Sequence, residues 1–190
     1  MIRTFIAIKL PDSVKKTISV FQQDASGEGL KLRWVKPENV HVTIKFIGDI
    51  SKNLADQIKE EIFSAPPLYN TFALAFGGTG VFPNLRQPRV LWAGITKGVK
   101  ELTEIAEILD EKLAVLSIPR ENRPFQAHVT VGRFTKFFPD RTIQKNLSSK
   151  LLPTEDISVN KITFMKSELK REGPEYSVLA EHIFYEAKRN

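Results

Sequence analysis

The sequence predicts a mixed fold of strands and helices within a single folding unit. The chain has 190 residues, the usual size of one compact domain. Its 42% hydrophobic and 26% charged residues are ordinary for a protein that buries a core. Segments with strand-like alternation are interspersed with segments of helical periodicity. These observations exclude a mainly disordered chain, and we expect one domain over residues 1–190.

The chain opens with a predicted strand followed by a predicted helix. The apolar run Phe5-Ile6-Ala7-Ile8, stopped by Lys9, is too short for a secretion signal or a membrane span, so residues 4–10 indicate a buried strand. Pro11-Asp12 then opens a helix, and Gly27 and Gly29 end it. The apolar residues of this helix recur at helical spacing: Val14, Ile18, Phe21 and Ala25.

Two strands and a second helix come next. Residues 32–35 and 41–46 have the alternation of strands, and Pro37 breaks the chain between them. Ser51 is a good cap for a helix that ends before Pro66-Pro67. The residues expected to be buried on this helix are Leu54, Ile58 and Ile62.

Strands and helices also alternate in the rest of the chain. The predicted elements are strands over residues 71–76 and 89–95, a helix over 99–116, a strand over 127–134, a weak helix over 140–152, and a hairpin over 157–165 and 176–185 that turns at Gly173-Pro174.

Two of the three histidines begin the same short pattern. The segments His41-Val42-Thr43-Ile44 and His128-Val129-Thr130-Val131 match closely, and a proline precedes each histidine by four residues. Because residues i and i+2 of a strand share a face, each motif presents an imidazole beside a hydroxyl while its valine packs inward. Two such strands on one cleft predict acid–base cleavage of a phosphodiester, one imidazole accepting a proton and the other donating one. The hydroxyls would donate to the phosphate oxygens.

Composition argues against several other chemistries. The chain has no cysteine, which excludes disulfides, a thiolate nucleophile, Fe–S clusters and cysteine-based zinc sites, and fits a reducing, cytoplasmic compartment. Neither histidine strand has a neighbouring His, Asp or Glu at metal-ligand spacing, so we expect no metal and no cofactor. The net charge of +6 suits an anionic ligand such as a nucleotide or an RNA end.

Other side chains have a plainer interpretation beside a functional one. Lys45 has the same parity as His41 and Thr43, so it could bind a phosphate or could be a solvated lysine at the rim of the cleft. We interpret Trp34 and Trp92 as packing residues rather than nucleobase platforms. His182 lacks the motif, and we interpret it as structural.

The paired motifs resemble those of the 2H phosphoesterases, a superfamily named for two H-x-[ST]-x motifs with hydrophobic x residues. Within it, the chain is similar to the prokaryotic RNA 2',3'-cyclic phosphodiesterases, also called 2'-5' RNA ligase-like proteins. The further matching segments are Arg3 to Ile8, His41 to Gly48, Arg89 to Gly94, Asn122 to Phe125 and Gly173 to Tyr176.

This resemblance implies an α+β fold of two lobes related by a pseudo-twofold axis, with antiparallel sheets lining a central cleft and helices outside. It implies a metal-independent reaction with His41 as proton donor and His128 as proton acceptor. It also makes Phe46 a candidate for base stacking and Arg133 a candidate contact to phosphate or nucleotide. Strand parity argues against Phe46 and Arg133, because a regular strand turns both away from the cleft unless a bulge or the strand end redirects them.

We therefore expect an RNA 2',3'-cyclic phosphodiesterase that hydrolyses cyclic phosphate ends of RNA or nucleotides to 2'-phosphomonoesters, with Thr43 and Thr130 holding the phosphate. We expect a monomer that does not associate with membranes. Two alternatives stay open. One is 2'-5' RNA ligation at the same site, with a 5'-hydroxyl in place of water. The other is a non-catalytic module that binds RNA ends or nucleotides, which would not need a matched acid and base.

Overall fold

The computed structural model describes residues 1–27, 32–135 and 156–186. The strands in these ranges are β1 Ile2–Lys9, β2 Leu32–Trp34, β3 His41–Ile50, β4 Phe72–Phe82, β5 Val90–Lys97, β6 His128–Phe134, β7 Ile157–Val159, β8 Lys161–Lys170 and β9 Gly173–Ile183. The helices are α1 Asp12–Gly27, α2 Lys52–Ile58 and α3 Val99–Val115, with a 3-10 turn at Pro37–Asn39 and a π-helical turn at Lys59–Phe63 that continues α2. The predicted helix over 140–152 lies outside the described residues.

The strands form a curled antiparallel sheet with the two motif strands at its centre. The order is β7-β4-β5-β6-β3-β1-β8-β9, and β2 pairs with β6. Strands β3 and β6 meet at Val42 and Val129, so the valine of one motif pairs with the valine of the other. An approximate twofold axis through this pair relates β1 to β5 and β3 to β6. Strand β1 leads into α1 and strand β5 leads into α3. The predicted α+β fold of two pseudo-symmetric lobes is confirmed.

Helices α1 and α3 bury apolar residues at helical spacing, whereas of the residues predicted to be buried in the second helix Ile58 and Ile62 are buried and Leu54 is half-buried. In α1 the buried residues include the whole predicted stripe, and in α3 they include Leu102, Ile105, Leu109 and Leu113. Burying one such side chain fully contributes about 1.5–3 kcal/mol. Ser51 caps α2 as predicted, because its hydroxyl accepts the Leu54 N–H at 3.1 Å. No helix in the described ranges is both long enough and apolar enough to span a membrane.

Both motif strands contain a β-bulge at the same position. Along β3 the register passes from Thr43 opposite Ala7 to Lys45 opposite Ile6, so Ile44 has no partner of its own. Along β6 it passes from Thr130 opposite Trp92 to Gly132 opposite Leu91, which leaves Val131 as the extra residue. An extra residue reverses the face of every residue that follows it. In each motif the side chains therefore alternate regularly up to the threonine, and the residues after the fourth position point to the opposite face from the one that regular alternation predicts.

The bulges correct two expectations based on strand parity. Phe46 and Arg133, which a regular strand would turn away, both line the cleft. Lys45, expected to share the face of His41 and Thr43, turns into the core and is only 5% exposed. Its Nζ forms an ion pair with Asp110 at 2.6 Å, so the prediction of a phosphate-binding or solvated Lys45 is wrong.

Candidate active site

A cleft of about 550 Å³ lies on the face of the sheet opposite the helices and contains both motifs. Six of the seven predicted site residues line it: His41, Thr43, Phe46, His128, Thr130 and Arg133. The register at Val42 and Val129 explains this convergence, because in an antiparallel pair it sets His41 beside Thr130 and Thr43 beside His128. Each imidazole is thus adjacent to the hydroxyl of the other motif as well as to its own.

The two imidazoles are oriented in the same way. The Nδ1 of His41 lies 2.7 Å from the carbonyl oxygen of Asn39, and the Nδ1 of His128 lies 2.7 Å from that of Gln126. A carbonyl oxygen only accepts hydrogen bonds, so Nδ1 carries the proton in both rings. This leaves Nε2 as the atom available for proton transfer on each side, in the tautomer that the carbonyl selects.

Aromatic rings pack against both histidines, and His41 has more of them. Phe5 stacks on the His41 ring with centroids 4.9 Å apart, and Tyr176 meets the same ring edge-on at 5.3 Å. His128 is met edge-on by Phe82 at 5.0 Å. These contacts restrict the orientation of both rings and remove part of each from water.

Burial lowers the pKa of both active-site histidines below the ordinary value of 6.5, because it disfavours the charged imidazolium. The hydrogen bonds to the Asn39 and Gln126 carbonyls oppose this effect. The pKa of His41 is lowered further by the proximity of His128. Both rings therefore favour the neutral form at neutral pH.

The lining of the cleft is strongly cationic. Among the described residues that line it, Glu172 is the one carboxylate. The lining cations are Arg3, Arg33, Lys36, Arg133, Lys170 and Arg171. The Arg3 guanidinium also lies over the Phe46 ring, 4.8 Å from its centroid. A charge balance of this kind attracts a phosphate-bearing ligand and stabilises negative charge that develops on it.

Several lining residues were not identified as site residues from the sequence. Asn39, Phe5 and Tyr176 surround His41, and Arg3 covers Phe46. Phe5 and Tyr176 fall in segments that carry the family resemblance, but neither has a local pattern that marks it as functional. The sequence does contain one signal for Asn39: a polar residue, Asn39 or Gln126, precedes each motif histidine by two positions.

Of the remaining histidine and the two tryptophans, only Trp34 lines the cleft. His182 is buried, and its Nε2 accepts the Leu68 N–H at 2.9 Å, as expected for a structural histidine. Trp92 packs against Phe82, whereas Trp34, interpreted as a packing residue, also lines the cleft. Across the described ranges, no group of three or more His, Asp or Glu side chains is arranged to hold a metal ion.

The fold is shared with solved structures. The crystal structure of TT0787 of Thermus thermophilus superposes with a TM-score of 0.79 at 26% identity, covering 96% of this chain and 97% of that one. The crystal structure of E. coli LigT complexed with 3'-AMP gives a TM-score of 0.74 at 22% identity, covering 96% of this chain and 98% of that one.

The sequence comparisons agree with the fold. Residues 8–92, which include the first motif, match the family described as LigT like Phosphoesterase. A protein of Aquifex aeolicus named RNA 2',3'-cyclic phosphodiesterase is 31% identical over 188 residues, which cover 95% of this chain and 96% of that protein. One of the same name from Archaeoglobus fulgidus is 33% identical over 179 residues, which cover 93% and 97%. The chain therefore belongs to the LigT-like phosphoesterases of the 2H superfamily.

Proposed function

We propose that this protein is an RNA 2',3'-cyclic phosphodiesterase that opens the cyclic phosphate to a 2'-phosphomonoester by acid–base catalysis between His41 and His128. The observation that carries the proposal is the pair of imidazoles in one cationic cleft, each with Nδ1 engaged by a carbonyl and Nε2 left for proton transfer. The name of the relatives at 31% and 33% identity supports the same activity.

In the proposed step, a water molecule attacks the phosphorus of the cyclic phosphate. The Nε2 of His128 accepts a proton from this water as the new P–O bond forms. The bond between phosphorus and the 3'-oxygen breaks, and the protonated Nε2 of His41 donates its proton to that oxygen. The product has a 2'-phosphate and a 3'-hydroxyl, and transfer of a proton from His128 to His41 through solvent restores the enzyme. Each proton transfer contributes about 10²–10⁴ to the rate.

The other cleft residues bind and stabilise the phosphate and the base. Thr43 and Thr130 are adjacent to the imidazoles and donate hydrogen bonds to the non-bridging phosphate oxygens. Arg133 adds a positive charge, and Phe46 stacks on the terminal nucleobase. Because Arg3 lies over Phe46 and also forms an ion pair with Asp49 at 3.7 Å, it holds the Phe46 ring in place.

The lowered histidine pKa values are compatible with an acid at neutral pH once substrate is present. The phosphate is anionic, and a negative charge within a few ångströms raises the pKa of a neighbouring imidazole. Substrate binding therefore favours the protonated form of His41 that the reaction requires.

The direct test is incubation of an oligoribonucleotide ending in a 2',3'-cyclic phosphate, followed by analysis of its end groups. We expect a 2'-phosphate and a 3'-hydroxyl, and equal activity in excess chelator. The His41→Ala/His128→Ala double variant is the matched control for contaminating nucleases. Loss of activity with chelator and recovery with a divalent ion would contradict the two-histidine mechanism.

The same assay distinguishes the two alternatives. With a second oligonucleotide that carries a 5'-hydroxyl, formation of a 2'-5' linkage in preference to hydrolysis would establish ligation as the main reaction. Tight binding of the cyclic end without turnover would establish a binding module. A 3'-phosphate product would show that the 2'-oxygen is the leaving group and would contradict the step as written.

We further propose that residues 1–190 act as one catalytic domain, as a monomer in the cytoplasm. In support, a single sheet carries both motifs, so one chain supplies both histidines. The absence of cysteine fits a reducing compartment. Light scattering coupled to size exclusion should give a mass near 21.6 kDa, and a mass of twice that value would contradict the monomer.

A further inference from the structure

We propose that Asn39 is a positioning residue that fixes the orientation of the His41 imidazole by anchoring it to the hairpin formed by β8 and β9. The functional consequence rests on the proposed function, in which His41 is the general acid. The anchor itself is a structural statement that can be tested without substrate.

Two of the hydrogen bonds of Asn39 link His41 to the hairpin. Its carbonyl oxygen accepts Nδ1–H of His41 at 2.7 Å. Its side-chain Nδ2 donates to the carbonyl oxygen of Pro174 at 2.7 Å, although the two residues are 135 positions apart in the chain. A single residue therefore joins the catalytic ring of one strand to the start of β9.

The backbone around Asn39 is a short turn that needs an external anchor. The turn is closed by Asn39 N–H to the Lys36 carbonyl at 2.8 Å and Val40 N–H to the Pro37 carbonyl at 3.2 Å. A 3-10 turn of three residues has little stability of its own. The bond to Pro174 holds this turn against the hairpin, and so fixes the direction of the carbonyl that orients His41.

The hairpin contacts the same histidine at a second point. Tyr176, two residues beyond Pro174, meets the His41 ring edge-on at 5.3 Å and the Phe5 ring at 5.1 Å. The Lys36 ammonium also lies 3.9 Å from the Glu172 carboxylate at the hairpin tip. The hairpin thus positions His41 through ring packing on one side and through Asn39 on the other.

The second motif provides a matched control. Gln126 occupies the equivalent place, and its carbonyl oxygen accepts Nδ1–H of His128 at 2.7 Å. Within the described ranges, however, the Gln126 side chain makes no hydrogen bond. Removing the Gln126 side chain keeps its backbone carbonyl and should therefore disturb the His128 ring much less than removal of the Asn39 side chain disturbs the His41 ring.

The expected kinetic effect is on turnover. Loss of a residue that orients a functional ligand or catalytic ring commonly costs about 10–100-fold. We expect Asn39→Ala to lower kcat by about 10–100-fold with KM within about 2-fold, because the phosphate-binding groups stay in place. Gln126→Ala keeps the backbone carbonyl that orients His128 and loses no side-chain bond to the hairpin, so its loss of kcat should be much smaller than that of Asn39→Ala.

A substrate-free readout separates positioning from general loss of structure. In the protein labelled with ¹⁵N in its histidine rings, at a pH where the rings are neutral, the unmodified His41 should show the Nδ1–H tautomer. Asn39→Ala should shift His41 toward a mixture of tautomers and leave His128 unchanged. Asn39→Asp is a second variant of the same size that cannot donate to Pro174 when ionised, and we expect the same mixture.

The outcomes are distinguishable. An unchanged His41 tautomer and unchanged kcat in Asn39→Ala would overturn the proposal, and so would an equal loss of kcat in Gln126→Ala. A tautomer shift in Asn39→Ala, in an enzyme that fails to open cyclic phosphates at all, would uphold the anchor while contradicting the proposed function.

Discussion

The first and second motifs have the same backbone and different surroundings. Both have a valine at the central pair, a bulge at the fourth residue and a histidine whose Nδ1 donates to the carbonyl two residues earlier. They differ in what the rest of the molecule packs against them. His41 lies among Phe5, Tyr176 and the anchored Asn39, whereas His128 is met by Phe82.

The residues that follow the bulges differ most. At the sixth position the first motif has Phe46, an aromatic ring under the Arg3 guanidinium, and the second has Arg133, a cation. The twofold arrangement therefore supplies a symmetric pair of imidazoles within an asymmetric cleft. A nucleotide end is asymmetric in the same way, since it has a base on one side and a charged backbone on the other.

The fifth residue of each motif, counted from the histidine, shows how the two lobes are joined. Lys45 pairs with Asp110 of α3 and donates to the Pro119 carbonyl at 3.0 Å, while the other Asp110 oxygen accepts the Glu121 N–H at 2.9 Å. The first motif thereby holds the segment that leads to the second. The equivalent Gly132 has no side chain, and a Cβ there would lie 3.0 Å from Leu32 and Trp34 atoms, so this place is filled by β2.

The largest effect should come from the histidines. We expect His41→Ala and His128→Ala each to lower turnover by about 10²–10⁴, with product affinity nearly unchanged, because proton transfer occurs only in the transition state. Steady-state rates and a product-binding titration measure the two quantities.

A second substrate separates the roles of the two rings. A phosphodiester with a nitrophenolate leaving group needs no proton on departure, so His41→Ala should lose much less activity on it than His128→Ala. Equal losses on this substrate would contradict the assignment of His41 as the acid.

The next largest effect concerns stability at the fifth position. Lys45→Met leaves the Asp110 carboxylate, which is 19% exposed, without its cation, and we expect a loss of about 3 kcal/mol in the free energy of unfolding, the lower end for breaking a buried ion pair. Gly132→Ala adds one methyl against Leu32 and Trp34 and should cost about 1–3 kcal/mol. Urea unfolding measures both. A smaller loss in Lys45→Met than in Gly132→Ala would show that the ion pair does not hold the lobes.

The sixth position should separate base stacking from charge. Phe46→Ala removes a stacking surface of about 1–3 kcal/mol, so KM for a cyclic-ended oligonucleotide should rise about 5–100-fold at any ionic strength. Arg133→Ala should raise KM mainly at low salt and reduce the slope of log KM against log salt. Arg120→Ala, an exposed arginine outside the cleft lining, is the control and should change neither. Equal salt dependence in the Phe46 and Arg133 variants would contradict the separation.

The smallest effect is on pH dependence. The reaction needs one protonated and one neutral imidazole, so the rate should be bell-shaped, with limbs that belong to the pair. Because burial lowers both pKa values in the free enzyme, the optimum of kcat/KM should lie below 6.5. Bound phosphate raises the pKa values, so the optimum of kcat should lie at higher pH. Rate profiles over the whole pH range test this order, and the reverse order would contradict the pKa directions.

Much of the fold could be predicted from local patterns. The apolar stripes of α1 and α3 and the Ser51 cap follow from helical spacing and capping chemistry, which depend on residues within a few positions of each other. The shared face of His41 and Thr43, and of His128 and Thr130, follows from the two-residue period of a strand. Their convergence on one cleft required the two strands to be neighbours, which the motif repetition suggested.

The sequence by itself determined the two motifs, the helices and the strand faces up to each threonine. Only the tertiary structure decided which residues beyond the bulges face the cleft, because a bulge exists only relative to a neighbouring strand. For that reason strand parity predicts the wrong face for all three residues beyond the bulges: Lys45 is buried in the core, whereas Phe46 and Arg133 line the cleft. The surroundings of His41 could not be predicted from the sequence either, because Asn39 and Pro174 are 135 positions apart and no local periodicity links them.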